Sequence, residues 1–65
     1  MWYEINISKH GVHYFATAER SIHTEDKCRE LVCVFSTIFH ESDGYKISVS
    51  LRSLNAKCMN KEFNL

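Results

Sequence analysis

The chain has no excess of either charge, no even complement of cysteines and no apolar run of membrane length. Lysine and arginine number eight together, as do aspartate and glutamate, so the formal charge is zero. Such a chain projects no strong field toward phosphates or anionic lipid, which argues against a strongly basic nucleic-acid binder and an acidic DNA mimic alike. The longest apolar run, residues 31–35, falls far short of the ~20 residues a bilayer helix needs, so no membrane association is expected. The three cysteines, Cys28, Cys33 and Cys58, have no paired spacing, and Glu4 interrupts the apolar start where a secretion signal would lie. Reduced, mostly packed thiols in a cytoplasmic protein are the expectation. Cys33 is the exception, because on a helix it falls away from the apolar stripe and is open to oxidative dimerisation.

Catalytic and ligand motifs are missing too. His10 and His13 would be neighbours in a hairpin, but the remaining ligands of a zinc site do not follow. Cys28 and Cys33, five residues apart, would point to different sides of a helix. Neither a metal nor another cofactor is expected. No serine or cysteine has a base at a telling spacing, and a chain of 65 residues has little room to enclose a substrate pocket, so no enzyme is expected.

What is present is pattern. In residues 45–52, Tyr45, Ile47, Val49 and Leu51 alternate with Lys46, Ser48, Ser50 and Arg52, the period of a strand with one dry face and one wet face. Residues 2–8 repeat it, with Tyr3, Ile5 and Ile7 on one side and Trp2, Glu4, Asn6 and Ser8 on the other. Gly11 supplies a hairpin turn, after which residues 12–19 resume an extended run. Two registers compete. A two-residue His10-Gly11 loop, the preferred one, pairs Ile7 with Tyr14, Ile5 with Ala16 and Tyr3 with Ala18, and turns Phe15 outward. A three-residue loop pairs Ile5 with Phe15 and Ile7 with His13, and turns Tyr14 outward, since a one-residue slip inverts the strand.

From Thr24, a capping residue followed by Glu25 and Asp26, the apolar residues Cys28, Leu31, Val32, Phe35, Ile38 and Phe39 recur at helical spacing, predicting a helix to about His40. Residues 31–39 also suit a strand by composition, but the length of the uninterrupted stretch favours the helix. Ser42, Asp43 and Gly44 end it. Beyond Ser53 the pattern decays into Leu54, Cys58, Met59, Phe63 and Leu65 among polar residues, a tail that either docks as a short helical turn or frays.

The prediction is one domain over 1–65, with a core at 1–53 and a tail or short helix at 54–65. Its class is α+β in the order β-β-α-β, a three-stranded antiparallel sheet of order 2-1-3 with one helix packed on one face. The third strand is then an edge, and the second sheet face is uncovered. On that face or edge stand the candidate partner-binding residues Trp2, His13, Phe15, Lys46, Ser48, Ser50 and Arg52. Glu4 and Glu19 beside them reduce the positive charge. A domain this small buries only roughly 60% of its unfolded surface, so self-association as a homodimer, by edge pairing or face-to-face packing, would enlarge its core. The leading expectation is a non-enzymatic protein-protein interaction module. The alternative is a weak nucleic-acid-binding module using the same face.

The segments MWYEINISKHG, HYFATAERSI over residues 13–22 and GYKISVS over residues 44–50 resemble small uncharacterised proteins of enterobacterial, lambdoid-type phages and prophages. The resemblance carries no catalytic or ligand motif. It implies a small accessory protein in the cytoplasm of a bacterial host, acting by binding a host or phage protein.

Overall fold

The computed structural model describes residues 1–18, 20–53 and 56–65. Strand β1 (Trp2–Lys9) and strand β2 (Val12–Ala16) form a hairpin, helix α1 (Glu25–Ile38) crosses the sheet, and a 3₁₀ turn (Glu41–Asp43) leads into β3 (Tyr45–Arg52). A two-residue strand β4 (Lys57–Cys58) follows. The fold is α+β with an antiparallel sheet of order β2-β1-β3-β4. The expected 2-1-3 order is present, and β4 adds a fourth strand beside β3. Glu19, read as a countercharge on the second strand, and Leu54, read as the start of the tail, lie outside the described residues.

The hairpin turn has His10 at φ 51° and Gly11 at φ 81°, both left-handed, as a two-residue turn matched to strand twist requires. Lys9 faces Val12 and Ser8 faces His13, the pairing of the two-residue loop. One step further, Ile7 faces Phe15 instead of Tyr14, so Tyr14 is the extra residue of a β-bulge. The expected outward position of Phe15 is therefore corrected. It shares the helix face with Ile7 and packs against Phe35 and Phe39, with ring centroids 5.9 and 5.4 Å away. Tyr14 also reaches that side, touching Phe39 and Tyr45, although it stays largely exposed.

Strand β2 ends at Ala16, short of the expected residue 19, because Thr17 closes the ladder itself. Its N–H donates to Ile5 O, and its Oγ1 accepts from Ile5 N, both at 3.0 Å. The chain then turns through Arg20, at φ 61°, and returns to β1 where Tyr3 N donates to Ile22 O.

Thr24 caps α1, its side chain accepting from Lys27 N. The helix lays Cys28 and Val32 on a core of Ile5, Ile7, Ile22, Val49 and Phe63, with Leu31, Phe35 and Phe39 packed around it. The tail docks. Phe63 is buried, edge-on to Tyr3 and beneath the Arg29 guanidinium. Asn60 latches the tail to β3: its Oδ1 accepts from Val49 N at 2.6 Å, and the neighbouring Met59 N donates to Val49 O at 2.8 Å. No helix is long and apolar enough to cross a membrane among the described residues.

Candidate functional site

The β1-β3 register arranges the side chains of the uncovered sheet face as a grid. Across it run His13, Ser8 and Lys46; then Ala16, Asn6 and Ser48; then Glu4, Ser50 and Cys58; and finally Trp2 opposite Arg52. Small hydroxyl and amide groups make the floor, and cations stand at both ends. Lys46 and Arg52, six residues apart on one strand, are separated by about 20 Å. The central carboxylate is engaged, Asn6 Nδ2 donating to Glu4 Oε1 at 3.0 Å. Among the described residues neither Lys46 nor Arg52 makes an ion pair.

Trp2 dominates one corner. The Arg20 guanidinium lies 5.7 Å from the centre of its ring, and Arg52 faces it across the strand pair. Its indole Nε1 is buried and donates to no acceptor among the described residues. A carboxylate brought to this corner would meet the Arg52 guanidinium beside the tryptophan ring.

Of the seven residues expected to form the partner surface, Trp2, His13, Lys46, Ser48, Ser50 and Arg52 share the uncovered face. Phe15 does not, and the bulge is the reason. Arg20 is the member missed from sequence, since it sits in a turn outside any period and only the fold carries it over Trp2.

The expectation that β3 is a free edge is corrected as well. In the observed register its odd-numbered residues point their backbone groups away from β1. Those of Val49 are taken by Asn60 and Met59, β4 lies beside Ser50 and Leu51, and Tyr45 N donates to His40 O. Among the described residues the outward groups of Ile47 have no backbone partner, and Ile47 stands at the wall of a half-open cleft of about 560 Å³. Phe39, Tyr45, Ile47 and Leu65 give that cleft an apolar lining, and its His40 and Glu41 are exposed to solvent. It brings no thiol or metal-binding cluster together with them.

The thiols also depart from the mostly packed state expected. Cys28 is buried, whereas Cys33 and Cys58 are exposed. Burial pushes the Cys28 thiol up to about 11; Arg29 pulls the other way, and Glu25 adds slightly to the rise. Cys33 lies off the apolar stripe, as its helical position implied.

Compared with protein-family models, with curated proteins and with solved structures, the chain matches none.

Proposed function

We propose that the protein is a non-enzymatic binding module that docks its uncovered sheet face on an acidic surface of another protein. Its setting, on this reading, is the cytoplasm of a bacterial host, as a phage-type accessory protein. The observation that carries the proposal is the Trp2 corner, an aromatic ring opposite Arg52 and against Arg20 on the sheet face turned away from α1. Tryptophan and arginine are the residues most often found at the energetic centres of interfaces. The hydroxyl and amide floor offers short-range donors and acceptors, and the unpaired cations Lys46 and Arg52 favour carboxylates.

A single-stranded nucleic acid is the weaker reading for the same face. Sheet platforms that bind single strands stack two or three bases on neighbouring rings, whereas on this face Trp2 and the His13 imidazole stand in opposite end rows. Affinity capture from bacterial lysate with and without nuclease treatment, with wild type beside Trp2→Ser and Arg52→Glu, decides between them. The captured protein is then titrated against Trp2 fluorescence, which is unambiguous because the chain has one tryptophan. Capture lost on both substitutions, with a saturable fluorescence shift in wild type that Arg52→Glu abolishes, is the expected result. Capture of nucleic acid instead, lost on nuclease treatment and on Lys46→Ala, overturns it.

A further inference from the structure

The flank of α1 turned toward β2 carries an apolar seam. Lys27, Leu31, Val34 and Ile38 follow one another at intervals of four, three and four residues, which keeps them in one line along a helix. The opposite flank is occupied. There Arg29 stacks on Phe63 at 4.7 Å and donates to Glu62 O, and Ser36 shares the cleft with Asn64 and Leu65. The seam therefore looks over β2, where Val12 and Tyr14 are 69% and 57% exposed; on the helix Val34 and Ile38 are 46% and 57% exposed. Tyr14 bridges the two elements through Phe39. Together these side chains leave on the order of 400 Å² of apolar surface, the size of patch that on monomers is often functional.

We propose that this flank is the contact of an antiparallel homodimer, with the twofold axis passing between Leu31 and Val34. Charge fits a second copy in this orientation. Lys27 then stands against the partner's last helical turn, which contains no basic residue and whose terminal carbonyls form the negative end of the helix dipole. The two Lys27 ammonium groups are kept about 16 Å apart along the helix axis, whereas a parallel pairing sets them side by side. A β-strand from another protein is a poorer occupant. The bulge at Tyr14 leaves the outward backbone groups of β2 at His13 and Ala16, three residues apart, out of step with the two-residue repeat of an incoming strand. The buried area per copy is about half that of a standard interface, the size of a transient contact.

Sedimentation equilibrium from low micromolar to millimolar concentration tests this on wild type and on Val34→Lys/Ile38→Lys. Wild type is expected to dimerise, and the double substitution to raise the dissociation constant at least about thirtyfold. Both positions are exposed, and circular dichroism at low concentration checks that the variant remains folded. In wild type alone, the backbone amide signals of Val12, Val34 and Ile38 should move with concentration while those of Ser48 and Ser50 stay fixed. Trp2→Ser should leave the dimer unchanged, which separates this contact from the partner-binding face. A wild type monomeric at millimolar concentration, or a folded double variant that dimerises as well as wild type, overturns the proposal.

Discussion

Phe63→Ala should come close to unfolding the protein. Phe63 is 6% exposed although it lies two residues from the last one, and it seals the core from the end of a segment with little regular structure. Its ring meets Tyr3 at 6.0 Å with planes 70° apart, and the Arg29 guanidinium sits 4.7 Å from its centre. Removing a buried phenylalanine side chain costs about 3–5 kcal/mol. A chain of this length has roughly 3–10 kcal/mol of stability in total, so one substitution in the tail removes a third of it or more. Phe63→Leu, which keeps most of the apolar volume, should cost about 1–2 kcal/mol. Urea unfolding followed by far-ultraviolet circular dichroism measures both. The alanine variant should show a midpoint lowered by about 3–5 M, taking the denaturant slope of a small domain as about 1 kcal/mol/M. A loss below about 1 kcal/mol for Phe63→Ala would mean that the tail does not close the core, and the assignment of β4 would fall with it.

Two further expectations concern single groups. Burial raises the Cys28 thiol from 9.0 to about 11, so the folded state holds its proton where the unfolded state releases it. The resulting stability is present in full below about pH 9 and is lost as pH rises to about 11. Alkaline denaturation of wild type beside Cys28→Ala should show this component only in wild type, and a thiol reagent should modify Cys33 and Cys58 quickly but Cys28 only on unfolding. Gly44 has φ 91°, and a Cβ there would overlap the His10 imidazole. Gly44→Ala should cost about 2 kcal/mol, and His10→Ala in the same chain should recover about half of it; equal costs in the two backgrounds would show that the imidazole does not pack there.

The parts of the fold legible in the sequence are those with a period. Strand β3 spans the residues its alternation marked, β1 extends one residue further than read, and α1 starts after the cap at Thr24. The crossover rule then gave the neighbour order of β1, β2 and β3. What escaped has no period to detect. Strand β4 is two residues long, and the tail docks through Asn60 and Phe63, whose spacing resembles neither element. Ile22, 1% exposed in the core, stands alone in a polar loop and is held by one backbone bond to Tyr3. In His13-Tyr14-Phe15 two successive aromatics both suit an inner position, so alternation does not locate the bulge. That hidden residue decided the candidate site, because it took Phe15 off the uncovered face and left Trp2 as its single aromatic.

The two sheet edges are closed by different means, and this limits where a partner can bind. On one side the bulge at Tyr14 spoils the spacing of β2; on the other, the Asn60 side chain imitates a strand at Val49, and β4 covers the next residues. Sheet extension, which would leave side chains only a secondary role, is thereby disfavoured at both ends. On the proposed reading recognition then comes from side chains, with two groups of them in question: the polar face around Trp2 and the apolar flank of α1. They lie on opposite layers of the molecule. If both proposals hold, a dimer joined through α1 leaves the outer sheet face of each copy open, and two Trp2 corners would meet a partner with repeated acidic sites, strengthening attachment without any new contact.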